Sequence, residues 1–280
     1  MQIIQAILMG FVQGLSEFLP ISSSAHLVFT SNLYKVITNF PTANHSGQEI
    51  FFDIMVHLGT LVAVVIYFRQ DILRIINEFY NALLKNNWNN HDAMLGQYIL
   101  IGTFVSTMVA YPLSKISENL VSKPEIVGIL LILTAFVLFL SEYLSKRRQN
   151  CYKPLGYVAC IIIGIAQGLA AIPGFSRSGW TIAAGLLSGL NRNTAARYSF
   201  LLSIPIILGA SMVYPAVKLD FKEILGYNWF PIAVGTIVSG VVGFFCIKYF
   251  MKFISKFSMN VFAWYCLIVG IFSAIFFTIN

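Results

Sequence analysis

Charged residues are scarce in this chain. Asp, Glu, Lys and Arg make up only 10% of its 280 residues, whereas soluble globular proteins carry about 25%. Apolar residues make up 58%, and the mean hydropathy is +0.77. So few charges cannot coat a water-facing surface, and the composition also excludes a disordered chain, a collagen and a coiled coil. It indicates a polytopic membrane protein, and 20 glycines with 15% aromatic residues favour helices over a barrel.

Cysteine is scarce as well. The four cysteines show no Cys-X-X-Cys spacing and no Cys/His cluster, which excludes a disulfide-stapled scaffold and a cysteine zinc site. We interpret Cys151, Cys160, Cys246 and Cys266 as small packing residues. The net charge of +7 is attributed to membrane orientation and anionic head groups, and no nucleic-acid partner is expected.

Six segments are apolar enough to cross the hydrocarbon core, which takes about 20 helical residues. They lie at roughly 51–68, 94–113, 124–143, 198–217, 229–248 and 261–279. Two further apolar regions, about 3–34 and 155–191, are each interrupted by a proline followed by serines. Proline breaks a helix, and lipid tolerates the unpaired backbone groups only where the break is buried or lines a wet cavity. We therefore predict two re-entrant helix–loop–helix hairpins whose loops meet inside the protein.

The two halves of the chain repeat one pattern. Gln13-Gly14-Leu15 recurs as Gln167-Gly168-Leu169, and each triplet precedes a proline and a loop with serines. Each half is a hairpin followed by three spans, and an odd number of spans inverts the second half. We predict one integral membrane domain, 1–280, built from inverted halves of about 1–143 and 144–280, which is an arrangement that places a site at the midplane.

The basic residues indicate the orientation. With the connections after 68, 143 and 248 in the cytoplasm, most of the 18 Lys and Arg residues lie on that side. This distribution follows the positive-inside rule. Both termini then lie outside, with the first hairpin entering from outside and the second from the cytoplasm.

A few ionisable side chains fall inside the interrupted regions, where charge is costly and marks functional positions. Glu17 precedes the first loop, His26 follows it, and Arg177 lies in the second loop. Gln13 and Glu17 are spaced i,i+4, so both lie on one face of the first half-helix. We expect these side chains to share one cavity.

The loop serines predict an anion site. Serine caps the start of a helix, and a capped start presents backbone N–H groups and the positive end of the helix dipole. Two such starts facing each other predict a phosphate or diphosphate, for which Arg177 adds a planar fork of donors. The phosphate-binding candidates are Gln13, Ser22, Ser24, Ser176 and Ser178.

A carboxylate beside this positive cluster needs its own explanation, because it repels phosphate. Glu17 is reasonable as the ligand of a hard divalent cation that bridges to the phosphate, or as a general base. Ser23 and His26, three residues apart, add a nucleophile and a base. Whether Ser23 or a water attacks stays open. Asp53 and His57, at the start of a span, form a weaker second set whose contact with the site also stays open.

At these residues the chain resembles the bacterial undecaprenyl-diphosphatase family, the bacitracin-resistance proteins. That family's first signature is an (E/Q)xxxE helix before a P-x-S-S-S/T-x-H loop, and it is matched from Gln13 to His26. The second signature, P-G-x-S-R-S-G, is matched from Pro173 to Gly179. The likeness covers essentially the whole chain. Gln13 stands where many members carry a second Glu, which puts in doubt any scheme with two carboxylates on the metal.

The resemblance implies a phosphatase that converts undecaprenyl diphosphate to the monophosphate, which recycles the carrier lipid for peptidoglycan synthesis and confers bacitracin resistance. It implies a multi-pass protein of the bacterial cytoplasmic membrane, dependent on Mg²⁺ or Ca²⁺ held by Glu17. The family's essential residues fall on Glu17, Ser23, His26 and Arg177. The alternative is a transporter or flippase that moves polyprenyl phosphate without hydrolysis, because transporters also use inverted repeats with broken helices. A homodimer stays open.

Overall fold

The structure, a computed structural model, describes residues 2–38, 47–148, 152–218 and 221–279. Cys151 lies outside these residues, whereas Cys160, Cys246 and Cys266 are buried and unpaired, as predicted. The described residues form twelve α-helices. They are α1 (Ile3–Ser16), α2 (Ser23–Thr38), α3 (Gly47–Tyr67), α4 (Arg69–Lys85), α5 (His91–Leu120), α6 (Pro124–Arg147), α7 (Tyr157–Leu169), α8 (Arg177–Leu187), α9 (Arg192–Lys218), α10 (Phe221–Leu225), α11 (Trp229–Ile254) and α12 (Asn260–Ile279).

Six of these helices, α3, α5, α6, α9, α11 and α12, are long and apolar enough to cross a membrane. Each coincides with a predicted span, although several are longer; α5 runs from His91 to Leu120, against the predicted 94–113. The chain is therefore an all-α polytopic membrane protein. A further helix, α4, was not predicted from the sequence; it buries Ile75 and Ala82 and exposes Leu73, Ile76 and Tyr80.

Both interrupted regions are two helices joined by a short break. α1 ends at Ser16 and α2 begins at Ser23, while α7 ends at Leu169 and α8 begins at Arg177. With 14 and 13 residues, α1 and α7 are about 20 Å long, too short to cross about 30 Å of hydrocarbon. The predicted helix–break–helix pattern is thus present in both regions.

Small residues fix α1 and α7 against long helices. A Cβ atom on Gly14 would lie 2.6 Å from the carbonyl oxygen of Ser239 in α11, and one on Gly168 would lie 2.8 Å from that of Ser106 in α5. Such close approach is how helices associate in lipid, where burial of apolar surface gives little gain. The break after each short helix is therefore held against a long one, and the main apolar core, which includes Phe18, surrounds it.

Candidate active site

The two breaks touch each other. Ser178 Oγ donates a hydrogen bond to the Leu19 carbonyl at 2.9 Å, and Ser22 Oγ donates to the Phe175 carbonyl at 3.4 Å. All four residues lie in or next to the predicted loops, one from each loop in each bond. The predicted meeting of the two loops inside the protein is therefore observed.

Serines cap the helix that follows each break. Ser176 Oγ accepts the Gly179 N–H at 3.1 Å, and Ser22 Oγ accepts the Ala25 N–H at 3.3 Å. The hydroxyl of Ser24 lies 3.2 Å from that of Ser22, and Ser178 stands 3.3 Å from Ser176 in the same way. Two helix starts, each with the positive end of a dipole, therefore lie where the loops meet.

Glu17 lies at the centre of this contact and is only 6% exposed. Its Oε2 accepts hydrogen bonds from Gln13 Nε2 at 2.9 Å and Ser23 Oγ at 2.7 Å. Its Oε1 accepts Arg177 Nη2 at 2.5 Å. Residues from both interrupted regions thus meet at one carboxylate, and the guanidinium balances its charge inside the protein.

His57 approaches the same carboxylate from α3. Its Nε2 lies 3.8 Å from Glu17 Oε2, and its Nδ1 donates to the Asp53 carbonyl at 2.6 Å. Because a carbonyl can only accept, this bond fixes the proton on Nδ1 and turns Nε2 toward Glu17. The weaker second set therefore supplies one member to the site, His57, while the carbonyl of Asp53 orients its ring.

His26 is held away from Glu17 by two other groups. Its Nδ1 donates to the Ser22 carbonyl at 2.8 Å, and its ring stacks on Tyr265 with the centroids 5.6 Å apart. The Tyr265 hydroxyl lies 2.7 Å from Nε2, so neutral His26 accepts that hydroxyl proton there. Both ring nitrogens are thus engaged, one by the first loop and one by α12. Nothing in the sequence of this apolar span marked Tyr265 as a partner.

Two buried polar atoms at Glu17 have no hydrogen-bond partner among the described residues: Gln13 Oε1 and Arg177 Nη1. An unpaired buried polar atom costs about 1–3 kcal/mol, so its presence needs an explanation. An amide oxygen is a ligand that hard cations accept, and a guanidinium N–H is a donor for phosphate oxygens. The unpaired acceptor and the unpaired donor therefore match the two parts of a cation–phosphate ligand.

A cavity of about 130 Å³ lies beside the contact between the two loops. Its walls include Ser24 of the first hairpin, Pro173 of the second, and Asp53 and His57 of α3. The cavity therefore joins the predicted phosphate-binding loops to the histidine beside Glu17. It gives a small polar ligand room to lie at the contact between the two loops.

Thr134 of α6 also contacts the site, and no sequence signal marked it. Its Oγ1 accepts the Trp180 Nε1–H at 3.1 Å and the Ser176 N–H at 3.4 Å. Threonine in an apolar helix is common because its hydroxyl can bond the preceding turn. Only the packing of α6 against the second loop distinguishes this threonine from the others.

Comparison with known proteins identifies relatives along the whole chain. The family model described as bacitracin resistance protein BacA matches residues 6–272. An undecaprenyl-diphosphatase of Halothermothrix orenii is 40% identical over 273 residues, which cover 97% of this chain and 96% of that protein. The undecaprenyl-diphosphatase of Methanosphaera stadtmanae is 38% identical over 98% of both chains. With a family match of this extent and relatives this similar at full length, the chain belongs to the BacA family of bacitracin resistance proteins.

Proposed function

We propose that this protein hydrolyses undecaprenyl diphosphate to undecaprenyl phosphate and inorganic phosphate. Membership of the BacA family and relatives named undecaprenyl-diphosphatase support this reaction. The structural observation that carries it is the Glu17–Arg177 pair at the contact of the two loops, in which one guanidinium N–H has no partner among the described residues. These donors suit the charge that develops on a transferred phosphoryl group.

The reaction is an in-line displacement at the terminal phosphorus. The attacking oxygen forms a bond to that phosphorus, the bond to the bridging oxygen breaks, and undecaprenyl phosphate leaves. Ser23 Oγ already donates to Glu17 Oε2 at 2.7 Å, so Glu17 is placed to take the proton of Ser23 or of a water at the same position. With water as the attacking group, inorganic phosphate forms directly; with Ser23, a second in-line attack by water on the phosphoserine releases inorganic phosphate and restores the hydroxyl. His26 would act through the Ser22 carbonyl that it holds.

The donor set fits a divalent cation, Mg²⁺ or Ca²⁺, that binds together with the substrate. Gln13 and Glu17 would hold it, and the described residues contain no group of three or more His, Cys, Asp or Glu side chains able to hold a metal by themselves. Magnesium is commonly bound by one or two protein ligands plus substrate phosphates. When bound, the cation would supply neutralisation of the diphosphate charge.

An apolar cleft of about 540 Å³ suits the prenyl chain of this substrate. It lies between α1, α11 and the start of α12, and its walls include Leu15, Leu19, Cys246 and Phe250. The carbonyl of Leu19 accepts the Ser178 hydroxyl, so one end of the cleft borders the loop contact. We infer that the tail of the lipid occupies this cleft and the diphosphate lies at the loops.

We infer that the halves, about 1–143 and 144–280, form one domain as inverted repeats with re-entrant hairpins in the bacterial cytoplasmic membrane. The contact of α6 with α12 supports this symmetry. A Cβ on Gly128 would lie 2.9 Å from the Gly270 carbonyl, and one on Gly270 would lie 2.8 Å from the Gly128 carbonyl. α6 and α12 are the last spans of the two proposed halves, and equivalent helices pack on each other in this way where a two-fold axis relates two repeats.

Phosphate release by the purified protein tests this function. Inverted repeats also occur in transporters, so the assay uses a polyprenyl diphosphate in vesicles and follows both released phosphate and movement of the lipid between leaflets. The proposal expects inorganic phosphate at one equivalent per lipid consumed. Lipid movement without phosphate would establish a flippase instead. The mass of the same preparation in detergent decides whether the protein is a homodimer.

A further inference from the structure

Thr134 of α6, whose side chain is fully buried, makes three hydrogen bonds to the second loop and the first turn of α8. Its Oγ1 accepts the Ser176 N–H at 3.4 Å and the Trp180 Nε1–H at 3.1 Å, and it donates to the Gly174 carbonyl at 3.1 Å. A threonine hydroxyl offers one donor and two acceptor sites. Two of these bonds go to the loop and the third goes to Trp180 in the first turn of α8, although the Leu130 carbonyl one turn back is also within reach of the hydroxyl at 3.3 Å.

The loop lies directly on α6 beside Thr134. Gly174 has a φ of +96°, and a Cβ there would lie 2.6 Å from the Val127 carbonyl and 2.7 Å from Leu130 Cβ. The ring of Phe175 stacks on Trp180 with the centroids 4.4 Å apart. The Gly174 backbone is therefore already in close contact with α6. The hydrogen bonds of the Thr134 hydroxyl then fix the position of the loop along this helix.

The position of the loop on α6 determines the position of Arg177. Ser176 caps α8, and Arg177 is the first residue of that helix, with its guanidinium on Glu17. Moving the Ser176 backbone therefore moves the Arg177 Cα directly. We propose that Thr134 is a positioning residue for Arg177, a role that rests on the proposed part of Arg177 in hydrolysis. Misplacing a reacting group by about 1 Å can cost about 100-fold in rate.

The test compares three replacements of Thr134. Thr134→Val and Thr134→Ala both remove the hydroxyl; Val keeps the shape of the side chain, and Ala avoids added bulk. Thr134→Ser retains the hydroxyl. We expect kcat for phosphate release to fall about 10- to 100-fold in the Val and Ala variants, with KM for the lipid little changed and Thr134→Ser close to wild type. Thr107→Val is the control, because among the described residues the exposed Thr107 bonds only the carbonyl of Thr103 on its own helix. Its kcat should not change.

A double variant separates positioning from a general weakening of the fold. If Thr134 acts through Arg177, adding Thr134→Val to Arg177→Lys lowers the residual rate little further. Losses that multiply, or a wild-type kcat in either Thr134→Val or Thr134→Ala, overturn the inference. Arg177→Ala is assayed alongside. A loss there with full activity in Thr134→Val removes only the role of Thr134, while full activity in Arg177→Ala removes the proposed site itself.

Discussion

Arg177→Ala removes the only cation that the structure places within hydrogen-bond distance of Glu17 among the described residues. The side chains of the pair are 15% and 6% exposed, so the guanidinium and the carboxylate are both largely withdrawn from solvent. Removing one partner of a buried pair costs about 3–5 kcal/mol of folding free energy, because the other charge is left uncompensated. The Gln13 and Ser23 hydrogen bonds to Glu17 remain, so we expect the lower end of that range.

The same change should remove far more activity than stability alone explains. An arginine that contacts a transferred phosphoryl group contributes about 10³-fold or more to kcat, which corresponds to about 4 kcal/mol of barrier. We therefore expect phosphate release from a polyprenyl diphosphate to fall about 1,000-fold in Arg177→Ala. Inserted, monodisperse protein must be recovered for the comparison, and its melting temperature measured in the same detergent.

Glu17→Gln combined with Arg177→Ala separates the two effects. The double variant has no unpaired charge, and the amide oxygen that replaces the carboxylate can still accept from Gln13 and Ser23, so its melting temperature should recover toward wild type. Its turnover should stay lost, because both charged groups of the reaction are missing. Recovery of turnover together with stability, or near-native turnover in Arg177→Ala alone, would refute the assignment of this pair to catalysis.

Three further outcomes follow from the site and its packing. Excess EDTA should abolish phosphate release and added Mg²⁺ should restore it; full activity under chelation removes the cation from the reaction. His57→Leu should lower kcat about tenfold, less than the roughly 100-fold or more that a general acid or base contributes. Tyr265→Phe should lower kcat less, because His57 faces Glu17 whereas Tyr265 only supports His26; equal losses contradict this difference. Gly14→Val should reduce the yield of folded protein, since its Cβ meets the Ser239 carbonyl at 2.6 Å, and normal yield and melting temperature would contradict the packing.

The spans and the breaks could be predicted because each depends on local chemistry. About 20 apolar residues suffice to mark a membrane helix, and Pro20 and Pro173, each followed by serines, mark the two breaks. Proline alone would not have been enough, because Pro112 and Pro205 lie inside α5 and α9 without ending them. The amphipathic α4 escaped prediction because its apolar residues form a stripe and no continuous run. A search for long runs of high hydropathy does not detect such a helix.

Pairings across the fold were harder to predict than the motifs themselves. Glu17, Ser23 and Arg177 were recognised because each lies beside a loop in an apolar region, where a polar group is unexpected. His57 was ranked below His26, since only the packing of α3 near α1 shows which imidazole faces Glu17. No property of the sequence near a histidine reports which partner its ring nitrogens will find.

The candidate site is composite, because each of the two loops contributes different groups to it although their serines correspond. When the two halves are aligned so that Gln13 matches Gln167, Ser22 matches Ser176 and Ser24 matches Ser178. The capping serines therefore occur in both halves.

In the same alignment Glu17 matches Ala171, and Ser23 matches Arg177. The carboxylate therefore belongs to one half and the guanidinium to the other. Either charge alone inside a bilayer is costly, and within its own loop neither has an opposite charge. Only when the two halves pack together do the carboxylate and the guanidinium meet. Packing of the two loops thus brings the proposed catalytic pair together, and any change that separates the loops should lower both stability and turnover.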